Sequence, residues 1–384
     1  MKSLDKNFRH LSREDKLKQL VDYGWLDKTN YQTLLSNPVI DEEVANSLIE
    51  NVIGQGTLPV GLLPKIIVDE KEYVVPMMVE EPSVVAAASY GSKLVNQTGG
   101  FKTIKSERLM IGQIVFDDVK DTEDLTQRIQ KQENQIKRIA DEAYPSIIHR
   151  GGGYRGIDID AFPNEQLLSL KVFVDTKDAM GANMLNTILE AVTAYLKNEL
   201  TDQEILISIL SNHATSSVVR VEGEIDINDL NRGDYSGEEV AKRMERASVL
   251  AQVDIHRAAT HNKGVMNGIH AVVLATGNDT RGAEASAHAY AARDGQYRGI
   301  ATWKYDEARG RLVGTIEVPM TLAIVGGGTK VLPVAKASLD LLNVESAREL
   351  GHVVAAVGLA QNFSACRALV SEGIQKGHMS LQYK

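Results

Sequence analysis

The chain has 384 residues, with 51 acidic and 42 basic side chains and a net charge of −9 at neutral pH. This length predicts a large core that is divided between two domains. The acidic balance argues against nucleic acid as the main partner, although a local basic pocket could still bind an anion. No stretch reaches the roughly 18 unbroken apolar residues of a membrane span, and the charged start lacks an apolar signal core. We therefore expect a soluble, cytoplasmic protein with no membrane partner.

The first part of the chain predicts helices followed by strands. "SREDKLKQLVDYGWL" begins with a capping pair, Ser12 and Asp15, and continues with apolar residues three and four positions apart. "DEEVANSLIENVIGQG" has the same spacing and stops at glycines. "LLPKIIV" and "KEYVVPMMV" are typical of strands, and "EEPSVVAAASYGSKLVNQTGG" predicts a helix with Pro82 near its first position.

The middle of the chain predicts a small inserted domain. "ERLMIGQIVFDDV" is typical of a strand, and "DTEDLTQRIQKQENQIKRIADEAY" of a charged amphipathic helix. Further strands are predicted at "GIDIDAF", "LLSLKVFVDTK", "EILISILSN" and "SSVVRVEGEID", interleaved with the helix "GANMLNTILEAVTAYLKNEL". This order of elements favours a small α+β domain within a larger one.

The last part returns to helices from "GEEVAKRMERASVLAQVD" onward, broken by predicted strands at "HAVVLATG" and "RLVGTIEVPM". The single cysteine, Cys366, excludes an internal disulfide. It lies in "FSACRAL" at helical spacing, which favours a buried thiol over a reactive nucleophile.

Polar residues cluster at predicted helix starts and strand ends, where chemistry is often found. Glu81 precedes Pro82 at a helix start with Ser83 beside it, and a carboxylate favoured by the helix dipole is the simpler interpretation. Asp279 lies between a predicted strand and a helix, where it could tune a lysine or merely cap the helix.

The stretch "HRAATHNKGVMNGIH" is rich in hydrogen-bond donors. It contains three histidines but no carboxylate, which argues against a metal site. Arg257, His261, Lys263 and Asn267 suit an anionic or carbonyl-bearing substrate. A solvated charged loop is the alternative.

Three glycine-rich stretches are candidate ligand sites. "GGGYRG" matches the G-x-G-x-x-G string between Gly151 and Gly156, but neither a convincing strand before it nor a helix after it supports a Rossmann site. "DAMGAN" (178–183) and "VGGGTK" (325–330) are better candidates for close backbone approach to a phosphate or ring, although each could be a tight turn.

In combination these motifs resemble a known family. "EEPSVVAAAS", "DAMGAN", "HNKGVMNGI", "ATGNDTRGAEA", "VGGGTK" and "EGIQKGHM" occur in the order found in bacterial, class II hydroxymethylglutaryl-CoA reductases, and the chain looks closest to the staphylococcal enzymes. The resemblance implies reduction of hydroxymethylglutaryl-CoA to mevalonate and CoA in the isoprenoid pathway, by two hydride transfers through mevaldehyde. It implies two NAD(P)H and no metal.

The resemblance also implies roles for particular residues. The catalytic positions would be Glu81, Lys263, Asp279 and His378, with Glu81 protonated through burial and Asp279 linking it to Lys263. The hydroxymethylglutaryl group would be bound by Ser83, Arg257 and Asn267. The cofactor would contact Asp178, Met180, Gly181, Asn183, Gly326, Gly327 and Gly328.

The implied architecture is a large, mainly helical domain (1–107 and 214–373) with a central sheet and a small, ferredoxin-like antiparallel cofactor domain (108–213) inserted in it. The active site would form between the two subunits of a homodimer. Residues 374–384 would begin a C-terminal flap that carries His378 and is cut short here, so we expect this chain to bind substrate but turn it over poorly.

NADPH is expected over NADH. Relatives that prefer NADH have an aspartate seven residues before the Gly151 glycines, where this chain has Tyr144, and His149 and Arg150 could meet a 2′-phosphate.

Other functions stay open from the sequence alone. They are a Schiff-base lyase acting through Lys263, a non-catalytic binding protein, and the same reductase operating in reverse to oxidise mevalonate.

Overall fold

A computed structural model describes Leu4, Phe8 and residues 11–36 and 40–374. The chain divides into two compact units. One comprises Met1–Lys105, Val219–Val318 and Leu322–Lys384, and the other comprises Ser106–Val218 with Pro319–Thr321. The predicted small domain, 108–213, falls within the second unit, and its boundaries stay a prediction.

The first unit begins with helices α1 (Arg13–Asp22), α2 (Lys28–Ser36) and α3 (Glu42–Leu48), and continues with β1 (Val60–Val68), β2 (Lys71–Met78), α4 (Val84–Gln97) and β3 (Lys102–Ser106). The predicted cap is present, since Ser12 accepts a hydrogen bond from the backbone of Asp15. Helix α3 ends before the glycines that were expected to stop it. β1 and β2 form an antiparallel hairpin whose two turn residues, Asp69 and Glu70, both have positive φ, as a type I′ turn requires.

The second unit contains β4 (Met110–Asp117), α5 (Thr122–Lys131), α6 (Glu133–Ala143), α7 (Pro145–His149), β5 (Gly153–Phe162), β6 (Leu167–Asp175), α8 (Ala182–Glu199) and β7 (Glu204–Ser211). Its sheet has the order β5-β6-β4-β7 and is antiparallel throughout. This is the split βαβ, ferredoxin-like arrangement that was predicted. The predicted single helix after β4 is interrupted at Gln132, which separates α5 from α6.

One face of this sheet forms the core of the second unit. Alternate residues of β4 and β6 point toward α6 and α8, as the period of two requires. The largest of them, such as Ile114, Phe116 and Leu170, are fully buried. Helix α8 lies so close to β4 that a Cβ on Gly112 would be 2.4 Å from Leu189 Cδ1.

The chain then returns to the first unit with β8 (Val218–Asp226), a 3₁₀ turn (Ile227–Leu230), α9 (Gly237–Val253), α10 (Ile255–Ala275), α11 (Thr280–Ala291), β9 (Ala301–Asp306), β10 (Arg311–Pro319), α12 (Gly328–Val331), α13 (Pro333–Leu342) and α14 (Ala347–Val370). Strands form a sheet in the order β3-β8-β10-β9. The short strands β3 and β9 were not predicted.

Helix α14 is the central element of the first unit. It packs against α4 and α10 and is buried on nearly all sides. By length and composition it could cross a membrane, but 83% of its apolar window is buried in the protein, as in the core helix of a soluble protein. A Cβ on Gly91 of α4 would lie 2.2 Å from Ala360 O. The helices that carry the candidate site therefore rest directly on α14.

The strand predicted at "HAVVLATG" is wrong, because residues 270–275 are the last turns of α10. A short, continuous apolar run has the same appearance in a buried strand and in a helix buried on most sides. Residues 271–273 and 275 are all buried, so the run shows no polar face that would reveal the helical period.

Candidate functional site

Lys263 and Glu81 form the centre of the candidate site. The Lys263 ammonium is 2.6 Å from a Glu81 carboxylate oxygen, and Asn267 Nδ2 is 3.5 Å from the other oxygen. Lys263 and Asn267 lie one turn apart on α10, so their side chains share a face of that helix. Three predicted site residues thus meet at one point, although Glu81 is 182 residues from Lys263 in the sequence.

Glu81 is exposed rather than buried as expected. Its side chain retains 45% of its accessible surface, and that of Lys263 retains 61%. The reason is its position in the turn before α4, where the described residues of the chain leave the carboxylate open to solvent.

The backbone at Ser83 is strained. Ser83 precedes α4 with φ of 73° and ψ of −15°, a left-handed conformation that costs a non-glycine residue about 1 kcal/mol. Its carbonyl accepts a hydrogen bond from Ala87 N at 2.8 Å, which is the first hydrogen bond of α4. This strained turn lies two residues after Glu81, and strain of this kind is common where a side chain must be aimed at a ligand.

Asp279 caps the start of α11, which was the alternative to a catalytic role in the sequence analysis. Its Oδ1 accepts from Gly282 N at 3.0 Å at the start of α11. Among the described residues, no hydrogen bond joins Asp279 to Glu81 or Lys263. The expected three-residue network is therefore not formed in the single chain, where the Asp279 carboxylate caps α11 instead.

Arg257 lies on a different face of α10. It is six residues before Lys263, which places it about 120° around the helix. Asp254 caps this end of α10 and accepts from the backbone of His256 at 2.8 Å. Arg257 is half-buried, and Cys366 on α14 is buried as predicted.

The "DAMGAN" loop of the second unit forms a tight turn that brings the backbone of Gly181 close to Thr176. Gly181 has φ of 90°, and a Cβ there would lie 2.3 Å from Thr176 Cγ2, so only glycine fits without movement. Thr176 Oγ1 donates to Ala179 O at 2.8 Å. Asp178 and Met180 are partly exposed on this loop, and Asn183 is exposed in the first turn of α8.

Sequence reasoning missed Arg108, which holds this loop. Arg108 is buried, and its guanidinium donates to Lys177 O at 2.7 Å, to Ala179 O at 2.9 Å and to Met320 O at 3.4 Å. A planar guanidinium that bonds to several carbonyls fixes a loop in one conformation.

The second glycine loop lies in the first unit. Gly326 and Gly327 both have positive φ, and Gly328 begins the single turn of α12. A Cβ on Gly328 would be 2.8 Å from Gly277 O, so this loop packs against the turn that precedes Asp279.

The residues that are expected to decide between NADPH and NADH lie at the two ends of α7. Tyr144 follows α6 and is partly exposed, whereas His149 and Arg150 are exposed just before Gly151. The Arg150 side chain donates to Ser146 O at 3.1 Å.

The remaining predicted catalytic residue, His378, lies outside the described residues. Within the described part of the chain, no three His, Cys, Asp or Glu side chains are grouped as metal ligands.

Comparison with known proteins identifies the family. The model of the hydroxymethylglutaryl-coenzyme A reductase family matches residues 12–383. The 3-hydroxy-3-methylglutaryl-coenzyme A reductase of Archaeoglobus fulgidus is 42% identical over 99% of this chain and 86% of its own length. A probable reductase of the same name from Borreliella burgdorferi is 34% identical over 98% of this chain and 85% of its own length.

Solved structures agree with these matches. The class II reductase of Streptococcus pneumoniae, described as bound to NADPH in open conformations, superimposes with a TM-score of 0.92 at 43% identity, over 95% of this chain and 99% of that one. The fold and the matches together define an α+β oxidoreductase. The chain belongs to the hydroxymethylglutaryl-coenzyme A reductase family, as its motifs predicted.

Proposed function

We propose that the protein reduces 3-hydroxy-3-methylglutaryl-CoA to mevalonate and free CoA in the cytoplasm, by two hydride transfers through mevaldehyde. The overall reaction consumes two NADPH and two protons. The observation that carries this proposal is the Lys263–Glu81 contact of 2.6 Å with Asn267 beside it, in a chain of this family. NADPH supplies the hydride in each reduction, and the chain's own residues bind, orient and protonate.

Lys263 stabilises negative charge on oxygen in both reductions. Hydride addition to the thioester carbonyl forms an oxyanion, and an ammonium group within hydrogen-bonding distance of it lowers the barrier. Lys263 projects from a rigid helix and its ammonium is exposed, so a substrate oxygen can reach it. Asn267 is a second donor on the same face.

Proton supply is divided between two residues. Collapse of the first oxyanion releases CoA thiolate, and His378 would donate the proton to that sulfur, because a histidine can lose a proton near neutral pH. Glu81 would give a proton to the aldehyde oxygen in the second reduction, at a stage when bound ligands cover it. Once the site is closed, Asp279 would link Glu81 and Lys263 in one hydrogen-bonded network.

Substrate contacts are assigned to Ser83, Arg257 and Asn267. Arg257 suits the terminal carboxylate of the hydroxymethylglutaryl group, since a guanidinium can grip a carboxylate with two parallel hydrogen bonds. Ser83 is only two residues from Glu81, in the strained turn before α4, which supports its assignment to the same site.

The cofactor is assigned to the "DAMGAN" loop of one subunit and the glycines 326–328, with the complete site formed between the subunits of a homodimer. Gly181 permits the close turn that such a loop needs, and a cofactor ring or phosphate can approach it. NADPH is preferred to NADH, because the chain has Tyr144 where an acidic residue would bind the ribose of NADH, and His149 and Arg150 are exposed nearby. This preference also favours synthesis of mevalonate over its oxidation.

The test is a coupled assay with hydroxymethylglutaryl-CoA and either NADPH or NADH, in which nicotinamide absorbance and released thiol are followed together. Two nicotinamides oxidised per thiol, faster with NADPH, is the expected result. If substrate binds but neither signal appears, the protein is a binding protein and the proposal is wrong. Borohydride trapping of substrate on Lys263 would instead indicate the lyase.

A matched pair of lysine variants tests the site itself. Lys263→Ala should lower kcat by roughly a hundredfold or more, as loss of one oxyanion donor does. The control is Lys242→Ala, because Lys242 contacts Glu238 at the same 2.6 Å and with similar exposure, but on α9 away from the site. Equal activity of the two variants would contradict the assignment.

A further inference from the structure

Arg155 lies near the start of β5 in the second unit, and its side chain folds back onto the glycine turn that precedes this strand. Its guanidinium donates to Gly151 O at 2.7 Å, to Tyr154 O at 2.9 Å and to Gly152 O at 3.1 Å. A planar guanidinium has several donors in a fixed arrangement, so it can bond to several carbonyls of one turn at once. Arg155 therefore holds the glycine turn in a single conformation.

A β-bulge accounts for the direction of this side chain. Tyr154 pairs with Val174 of β6. Gly156, two residues further along β5, pairs with Phe173, which is the immediate neighbour of Val174. One extra residue, Arg155, is thus inserted in β5 relative to β6, and a bulge of this kind re-aims a side chain.

Asp175, at the end of β6, ties the glycine turn to the segment that leads into the "DAMGAN" loop. Its Oδ2 is 3.3 Å from the Arg155 guanidinium and 3.0 Å from Lys177 Nζ, and its Oδ1 accepts from Lys177 N at 3.0 Å. The Asp175 side chain is only 17% exposed, so these contacts are less screened by solvent than those of an open surface pair. A Cβ on Gly152 would be 2.5 Å from Asp175 O, so the turn also rests on this backbone.

Each of the two loops of the second unit that are assigned to the cofactor is therefore held by its own arginine. Arg108 donates to Lys177 O and Ala179 O and so holds the "DAMGAN" loop. Arg155 holds the turn that directly follows residues 149 and 150, to which the 2′-phosphate is assigned. Because NADH lacks this phosphate, a displaced glycine turn should weaken the binding of NADPH and leave that of NADH unaffected.

We propose that Arg155 is a positioning residue that sets the preference for NADPH over NADH, because it holds the turn that presents His149 and Arg150 to the 2′-phosphate. Asp175 anchors the guanidinium in this role. Both terminal nitrogens of Arg155 already donate within the protein, so the residue acts through the turn and not by contact with the cofactor. The inference rests on the proposed function, in which NADPH is the cofactor.

The experiment measures the dissociation constants of NADPH and NADH for the full chain by calorimetric titration, without hydroxymethylglutaryl-CoA. Arg155→Lys keeps the charge, but a single ammonium cannot span the same carbonyls. It should weaken NADPH binding by roughly three- to tenfold, the factor expected for about one hydrogen bond, with NADH binding nearly unchanged. Arg108→Lys should weaken the binding of both nucleotides by a similar factor, because the "DAMGAN" loop serves both. The matched control is Arg128→Lys, which should change neither, because Arg128 bonds to Asp202 at 2.8 Å, outside both loops.

Asp175→Asn separates positioning from simple attraction. Asparagine keeps an oxygen that can accept from Lys177 N, but it removes a negative charge beside the glycine turn. If Arg155 only attracted the phosphate through its charge, loss of the neighbouring carboxylate would tighten NADPH binding. If Arg155 positions the turn, loss of its anchor should weaken NADPH binding instead.

Three results would overturn the inference, provided that circular dichroism shows the variants to be folded. They are unchanged NADPH binding in Arg155→Lys, an equal loss for NADPH and NADH in that variant, and tighter NADPH binding in Asp175→Asn. If the wild-type protein itself binds both nucleotides equally, the proposed cofactor preference is wrong and the inference fails with it. The coupled assay with hydroxymethylglutaryl-CoA tests the proposed reaction separately.

Discussion

Lys263 and Glu81 face each other because the segments that carry them pack on the same buried helix. Lys263 belongs to α10 and Glu81 precedes α4, and both helices rest on α14. The contact adds little to stability, since ion pairs as exposed as this one typically contribute about 0–1 kcal/mol. In the proposed function its value is chemical, because it keeps the Lys263 and Glu81 side chains together where a substrate oxygen could reach both.

The sequence located these side chains but could not predict all of their contacts. Lys263 and Asn267 lie in a donor-rich motif whose residue types suit oxyanion chemistry, whereas Glu81 was assigned a catalytic role only through the resemblance of its motif to the family. Arg108 could not, because it bonds to carbonyls 69, 71 and 212 residues away and its own surroundings are those of an ordinary strand. Asp279 fitted two interpretations equally well, and only the structure shows which contact it makes.

Substitutions of Asp279 should separate its structural contact from its proposed catalytic charge. Asp279→Asn keeps an oxygen that can cap α11, so stability should change by only a few tenths of a kcal/mol, whereas Asp279→Ala should cost about 1 kcal/mol. Both should lose most of kcat if the charge acts on Lys263 and Glu81. The measurements are urea denaturation and steady-state kinetics. Full activity of Asp279→Asn would show that Asp279 is only a helix cap.

At the level of elements, the sequence predicted the strands with a period of two and the amphipathic helices. It did not predict where some helices end, or which structure a fully buried apolar segment adopts. The second unit was predictable because its sheet has one solvated face, which leaves alternating polar residues in the sequence. α10 was misread because its last turns are buried on most sides. The strained backbone at Ser83 and the loop that Arg108 holds depend on tertiary packing, which cannot be predicted from a local sequence pattern.

Two glycines of α10 provide a test of how this helix packs on α14. A Cβ on Gly264 would meet nothing within 4 Å, whereas one on Gly268 would lie 2.9 Å from Gln361 Cβ and 3.0 Å from Val357 O. Gly264→Ala should therefore stabilise the protein by about 0.5–1 kcal/mol, because glycine is a poor helix former. Gly268→Ala should destabilise it by about 1–3 kcal/mol through overpacking. Equal effects in thermal and urea unfolding would mean that α10 does not contact α14 as described.

At the scale of the whole molecule, the proposed function needs more than one chain. The candidate catalytic residues Glu81 and Lys263 belong to the first unit, and the "DAMGAN" loop belongs to the second. The single chain also leaves Glu81 exposed and Asp279 outside the network in which it was expected. A partner subunit and bound ligands are the groups that the proposal assigns to complete this site.

Subunit complementation tests that assignment directly. Lys263→Ala should abolish activity by removing the candidate catalytic lysine of the first unit. Gly181→Ala should abolish it by distorting the cofactor loop of the second unit, because the new Cβ would lie 2.3 Å from Thr176 Cγ2. If each active site combines the first unit of one subunit with the second unit of the other, a mixed dimer of these variants contains one intact site. Random exchange should then restore about a quarter of wild-type activity, because half of the dimers are mixed and half of their sites are intact.

The controls follow from the same arithmetic. Each variant alone, and a mixture with a doubly substituted Lys263→Ala/Gly181→Ala chain, should stay inactive after subunit exchange, while sedimentation and circular dichroism verify that all of them fold and dimerise. A mixture of the two single variants that remains inactive, although mixed dimers are detected, would place each complete site within one subunit. Recovery in that mixture alone would make the dimer a requirement of catalysis, because no other species in it unites an intact Lys263 with an intact cofactor loop.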